Sequence, residues 1–239
     1  RWGTSCALLD FDADGSLDLV VTNYLAFDPE VVKPRGAGCS WKGHDVMCGP
    51  EGLVPVHDQL YRGLGDGRFE DVTYAAGFSP EEAGYGLGVM TLDFDGDGWT
   101  DLYTANDSSP NHLWRNRGDG TFEEIAWRHG VGHDANGKEQ AGMGIACADV
   151  NHDGRPDLFV TNFSGENNAL YLSRGGFYRE RSHAVGLGGV SLRLLDWGTG
   201  HRDFGLDWRL DPFALDRSTF VTCKRRDLGG RLILQQKTT

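Results

Sequence analysis

Apolar residues in this chain fall in short runs, each closed by Gly, Asp or Asn, and no 3.6-residue period persists beyond about two turns. Val, Leu, Phe, Tyr and Thr dominate the runs, which predicts short strands joined by tight turns. Leu17–Val21 is nearly continuous in apolar residues, as expected of a strand covered on both faces. The runs also recur in order. Asp10–Asp18 reads DFDADGSLD, Asp93–Asp101 reads DFDGDGWTD and Asp149–Asp157 reads DVNHDGRPD. Each is followed by a β-type run ending in Asn, at Asn23, Asn106 and Asn162, and Gly3, Gly86 and Gly142 each stand seven residues before the first Asp. A third element follows, QLYRGLGDGRFEDVTYAAGF from Gln59, HLWRNRGDGTFEEIAWRHGV from His112 and a worn ALYLSRGGFYRERSHAVGL from Ala169.

The first aspartates stand at 10, 93 and 149, intervals of 83 and 56 residues. The longer interval carries an insertion, roughly Ala26 to His57; without it the unit has about four strands. A four-stranded sheet with two apolar faces needs neighbours on both sides, so the expected fold class is all-β, a β-propeller of four-stranded blades. Three blades are intact over residues 1–192. A degenerate fourth begins in residues 193–239, where Asp203–Asp211 reads DFGLDWRLD. There Gly205 replaces an acid, Trp208 replaces a glycine, and Pro212 stands where the next strand expects Leu. The fourth loop is therefore expected to bind no ion. The chain from about Arg193 onward is expected to be poorly packed, with no matching strands after Asp216, leaving one face of the third blade bare.

Composition narrows the function. The 35 acids outnumber the 23 bases, for a net charge of −12, a field that repels nucleic acid and anionic lipid and suits cations. Glycine makes up 35 of 239 residues without a G-X-Y period, so it serves turns. No run approaches the roughly 18 apolar residues of a spanning helix, so no membrane insertion is expected. The chain opens at Arg1 without a charged-then-apolar leader, which reads as a processed chain or a piece of a longer one.

The acidic loops carry the chemistry. The spacing D-x-[DN]-x-D-G-x-x-D sets oxygens at positions 1, 3, 5, 7 and 9, and Ca2+ takes six to eight hard oxygens at about 2.3–2.6 Å. The first loop offers Asp10, Asp12, Asp14 and Asp18 with the carbonyl of Ser16. The second offers Asp93, Asp95, Asp97 and Asp101 with the carbonyl of Trp99. The third offers Asp149, Asn151, Asp153 and Asp157 with the carbonyl of Arg155. Ser, Trp and Arg at position 7 make sense only as backbone ligands. An EF-hand would need Glu at position 12, where Val21, Thr104 and Val160 stand. Simple Asx turns remain the bland alternative, but carboxylates gathered three times in register repel one another without a cation. About three Ca2+ ions are expected, in a structural role.

The loop, together with LWRNRGDGTF from Leu113, resembles the FG-GAP/VCBS repeat of integrin-α-like propellers. The segment CSWKGHDVMCGPEGL from Cys39 resembles an insertion of the ASPIC/UnbV and cartilage acidic protein group. The resemblance implies a calcium-bearing, roughly seven-bladed propeller, secreted, periplasmic or at the cell surface, of which this chain would be a fragment. Eight residues, Gly43 among them, separate Cys39 from Cys48, so a disulfide is expected there; free thiols in a reducing compartment are the alternative. Cys6 and Cys147 lie in apolar stretches and are expected to be buried thiols.

Other candidates are weaker. His129, His133 and Asp134 form a possible metal trio, but the stretch is broken by glycines. Asn106 and Asn162 head glycosylation sequons, yet both sit in the Asn column of the repeat. No nucleophile elbow, zincin helix or phosphate loop is present. The favoured function is a non-catalytic calcium-binding module whose loops contact protein or glycan, with the insertion (Trp41, His44 and Met47 included) as the contact surface. The alternative is an enzyme, a hydrolase or lyase, using the propeller as scaffold.

Overall fold

A computed structural model describes residues 1–28, 30–31, 38–41, 43–45, 48–50, 52–203, 210–216, 220–225 and 232–237. The predicted runs form antiparallel strands. The first sheet orders β1 (Gly3–Leu9), β2 (Asp18–Asn23), β5 (Gln59–Gly63) and β6 (Phe69–Asp71). The second orders β7 (Gly86–Leu92), β8 (Asp101–Asn106), β9 (His112–Asn116) and β10 (Phe122–Glu124), and the third β11 (Gly142–Ala148), β12 (Asp157–Asn162), β13 (Ala169–Ser173) and β14 (Tyr178–Glu180). Each is a meander whose strands follow chain order, the plan of a propeller blade.

A fourth sheet is complete as well: β15 (Asp196–Arg202), β16 (Asp211–Asp216), β17 (Phe220–Arg225) and β18 (Leu232–Lys237). This corrects the expectation that nothing after Asp216 matches the repeat. FVTCKR and LILQQK carry no loop motif to mark them, but the first holds Phe, Val and Thr and the second opens on an apolar run, and they continue the meander. The sheet also covers the third blade, since Ala146, Phe159 and Leu170 share a buried cluster with Ala214. Gly205, Asp207 and Trp208 of the fourth loop lie outside the described residues.

The inner strands carry glycines at and just after their starts. Gly3, Gly86 and Gly142 open β1, β7 and β11, and each pairs with the Asn that ends the next strand. The strands pack so closely that a Cβ on Gly88 would lie 2.4 Å from the Met143 carbonyl oxygen, and one on Gly144 2.1 Å from that of Trp197. Only glycine permits this approach. In the fourth sheet Asp196 takes the place of the column glycine, paired with Asp216.

Cores form between sheets. Leu9, Phe11, Val20 and Leu60 of the first meet Leu102, Trp114 and Phe122 of the second, with Phe78 stacked on Trp114 at 4.3 Å. β8 and β12 are buried along their whole length, whereas β2 is buried mainly at alternate positions because, among the described residues, no sheet covers its outer side. Within the insertion, β3 (Ser40–Trp41) and β4 (His44–Asp45) form a ribbon. A Cys39–Cys48 disulfide with Cα atoms 5.2 Å apart closes it, as expected. The insertion's base is pinned by the Ala26 N–H to Val54 and by the Tyr85 hydroxyl of the second unit, which donates to the Leu53 carbonyl at 2.9 Å. Met47 and the side chains of Trp41 and His44 lie outside the described residues. Cys6 is exposed, not buried, because it lies on the face of β1 opposite to Ala7, which packs on the core shared with the second sheet. Cys147 is partly buried against the core between the second and third sheets, where burial pushes its thiol up to about 11.

Candidate metal centres in three acidic loops

Each acidic loop joins the first strand of a sheet to the second, and all three close by one hydrogen-bond pattern. Asp10 accepts the N–H groups of Asp14 and Gly15 at 3.1 and 3.0 Å; Asp93 accepts those of Asp97 and Gly98, and Asp149 those of Asp153 and Gly154. The position-5 carboxylates of Asp14, Asp97 and Asp153 accept the N–H of position 7, at 2.7, 2.9 and 3.1 Å. Gly15, Gly98 and Gly154 at position 6 take φ of 86°, 88° and 83°, the turn the spacing demands. Position 4 is left-handed too, with Ala13 at 58° and His152 at 60°, a conformation that non-glycine residues rarely adopt. Nothing in the spacing marks that second left-handed residue.

Position 9 differs from the rest. Asp18, Asp101 and Asp157 are completely buried, and each spends both oxygens on the backbone. Asp18 accepts Phe11 N–H at 2.9 Å and Gly63 N–H at 2.8 Å; Asp101 accepts Phe94 and Asn116 at 3.0 and 2.8 Å; Asp157 accepts Val150 and Ser173 at 3.1 and 2.8 Å. These carboxylates tie the loop to the third strand of their own sheet. Burial raises the pKa of all three, Asp101 to about 7, against the lowering effect of the N–H donors.

Positions 1, 3 and 9 converge. Carboxylate oxygens of Asp10, Asp12 and Asp18 lie within 4.8 Å of one another, and so do those of Asp93, Asp95 and Asp101. Position 5 lies outside both sets. In the third loop Asn151 holds position 3, so acids occupy only two of the three converging places. One oxygen of Asp12, Oδ1, is buried without a hydrogen-bond partner, whereas Oδ2 takes the Arg62 guanidinium at 2.8 Å. A hard divalent cation fits this donor set: all-oxygen, mostly anionic, with a desolvated oxygen to satisfy. Arg115 likewise reaches Asp95 and Asp97, at 3.0 and 3.3 Å. Sequence reasoning passed over both arginines; their one signal is the recurrence of Arg in the third strands of the first two units.

The weaker candidates resolve as packing. His129 Nδ1 contacts the Gly176 carbonyl oxygen and its ring packs on Phe94, whereas His133 packs on Trp127 at 5.0 Å. Asp134 caps its own turn by accepting the N–H groups of Asn136 and Lys138. Asn106 and Asn162 are buried, and their Nδ2 groups donate to the carbonyls of Pro110 and Asn167 at 2.6 and 2.7 Å. Among the described residues, no helix is long and apolar enough to cross a membrane.

The FG-GAP-like repeat family matches residues 44–104 and 93–160. Cartilage acidic protein 1 of Homo sapiens is 36% identical over 127 residues, 52% of this chain and 18% of that protein. Its Mus musculus counterpart is 31% identical over 173 residues, 71% of this chain and 22% of that one. The Xenopus tropicalis protein is 28% identical over 181 residues, 66% of this chain and 27% of that one. The chain thus spans about a quarter or less of the length of these relatives. A solved structure of an Agrocybe aegerita lectin that recognises non-reducing terminal N-acetylglucosamine aligns with 97% of this chain and 65% of its own, at 16% identity and a TM-score of 0.41. So slight a likeness carries no argument about ligands. Repeat, loops and cysteine-closed insertion agree with the sequence matches, and the chain belongs to the FG-GAP-repeat β-propellers, in the group of cartilage acidic protein 1.

Proposed function

We propose that the chain is a calcium-stabilised, non-catalytic propeller module of an extracellular protein. The observation that carries the reading is the twofold convergence of three carboxylates within 4.8 Å, one of them with a buried unpartnered oxygen. When bound, Ca2+ supplies positive charge that lets these groups stay ionised and close together. The side chains at positions 1, 3, 5 and 9 and the position-7 carbonyl hold it, and position 9 anchors the loop through its backbone donors. At ten times Kd each ion would add roughly 1.4 kcal/mol to folding stability. The disulfide supports an oxidising location. The cysteine-closed insertion, a long excursion on a rigid sheet, is the surface proposed for a protein or glycan partner.

Calorimetric titration with CaCl2, with MgCl2 as control, should find about three equivalents of calcium. Melts should differ by several degrees between EDTA and millimolar calcium. Absence of binding heat together with identical melting temperatures overturns the reading.

A further inference from the structure

The three intact units differ at two places that face each other. Arg62 on β5 and Arg115 on β9 stand opposite Glu70 and Glu123, and the equivalent place on β13, opposite Arg179, is Leu172. Position 3 of the loop changes with it. Where the strand holds Arg, position 3 is Asp12 or Asp95; where it holds Leu, position 3 is Asn151. The contacts match, with Arg62 Nε 2.8 Å from Asp12 and Arg115 Nη2 3.0 Å from Asp95. Arg155, in the third loop, pairs instead with the position-5 Asp153, at 3.5 Å. In each unit, position 3 and its strand partner therefore sum to zero charge, twice as an ion pair and once with both charges absent.

We infer that Arg62 and Arg115 are charge-balancing partners of the position-3 ligand, which set the calcium affinity of the first two loops and hold their acids in place. The inference rests on the calcium reading of the loops. The guanidinium binds one oxygen of the position-3 carboxylate, leaving Asp12 Oδ1 without a partner and Asp95 Oδ1 with only a long contact from the Asp97 N–H, at 3.3 Å. Its positive charge also lowers the pull of the loop on a cation. Asn151 weakens that pull to a similar degree by giving up the charge, and so needs no arginine.

Loop 2 can be converted into the combination found in loop 3. Calcium titrations would compare the whole chain with R115L, D95N and D95N/R115L, and with R115Q as a variant that keeps a polar side chain of similar length. Terbium luminescence sensitised by Trp99, at position 7 of this loop, provides a readout weighted to the altered site. R115L and R115Q should bind calcium roughly three- to ten-fold more tightly at that site, from loss of one charge near a divalent ion. D95N should bind more weakly by a similar factor, and the double variant should return to within about threefold of the parent. In EDTA, R115L should melt a few degrees below the parent and the double variant close to it. Equal or weaker binding by both R115L and R115Q, or a double variant as weak as D95N, overturns this inference while leaving the calcium reading intact. A parent chain that binds no calcium overturns both.

Discussion

The third sheet packs against two neighbours, and its two faces are built differently. Toward the second sheet the contact is apolar and aromatic: Leu92, Phe94, Tyr103 and Leu113 close over Leu158, Val160, Tyr171 and Tyr178. The hydroxyls of Tyr103 and Tyr171 donate to the carbonyls of Val131 and His133, at 2.8 and 3.1 Å. Toward the fourth sheet the buried set shrinks to Ala146, Phe159, Leu170, Leu187 and Ala214. Polar groups stand in the gap. Asn168 Nδ2 donates to Asp196 at 2.7 Å, and both ring nitrogens of His201 are buried without a partner, a setting that pushes its imidazole down to about 4. The fourth unit has Pro212 in the column of Leu102 and Leu158, and Asp196 in the glycine column. The same sheet plan therefore tolerates loss of apolar contact, with Asn168 and Asp196 satisfying each other across the gap and His201 kept neutral by its burial.

Two leucines of the third sheet break or confirm this contrast with one chemistry. Leu158 faces the second sheet with no exposed surface, and Leu170 faces the fourth. Leu158→Ala should cost about 4 kcal/mol and Leu170→Ala about 2, because the sparser side has less packing to lose and more freedom to relax. Urea titration of both variants in calcium buffer measures the difference. Equal losses would show that the two faces are energetically alike despite their composition.

The apolar side of that contrast was readable in the sequence and the polar side was not. Strand order, loop pattern and disulfide follow from residues close in the chain, where spacing fixes geometry. Three things escaped. The Arg62–Asp12 pair joins residues 50 positions apart, and no local period points from one to the other. The Asn that ends each second strand was recognised as a column, but its role depends on a partner beyond the next loop: Asn23, Asn106 and Asn162 donate their N–H groups to Asp58, Asn111 and Asn168. The last two strands were missed because the fourth unit lost the signals that announce a blade, and Leu232–Lys237 has little β-forming composition to replace them. Asp211, the position-9 acid, stays buried even there, as Asp18, Asp101 and Asp157 are in the intact loops.

That distinction between fold and ion can be sharpened within one loop. Asp101 is fully buried and accepts two backbone N–H groups, whereas Asp97 sits toward solvent. With EDTA present, Asp101→Ala should lose about 2–4 kcal/mol, since the N–H groups of Phe94 and Asn116 are left unpaired. Asp97→Ala should stay within about 0.5 kcal/mol of the parent. Adding calcium should widen the gap between the parent and Asp97→Ala. If both variants are equally harmless in EDTA, position 9 serves the ion and not the fold.

The smallest effect concerns the junction of the first and second sheets, where the polar link is an acid. Asp58 accepts the Asn23 N–H at 3.1 Å and the Thr104 hydroxyl of the second sheet at 3.2 Å, in the place that Asn111 and Asn168 hold at the other two junctions. Complete burial pushes its carboxyl from 3.8 up to about 7, with the two donors pulling the other way. A carboxyl whose pKa is higher folded than unfolded holds its proton more tightly in the folded state. Its contribution to stability is therefore complete below about pH 4 and disappears as pH rises through about 7. Asp58→Asn keeps the acceptor for Asn23 and offers Thr104 a donor, with no charge to bury. At pH 8 in EDTA the variant should be more stable than the parent by roughly 1–2 kcal/mol, less than full linkage gives because buried carboxylates relax and hydrate. The advantage should shrink toward pH 4, where the parent's Asp58 is neutral in the folded state and no charge has to be buried. Taking the variant–parent difference cancels the other carboxylates, so a denaturant series from pH 4 to 8 isolates this one group. A difference that stays flat across that range would mean that Asp58 is solvated in the folded protein, and that the first junction is held no differently from the other two.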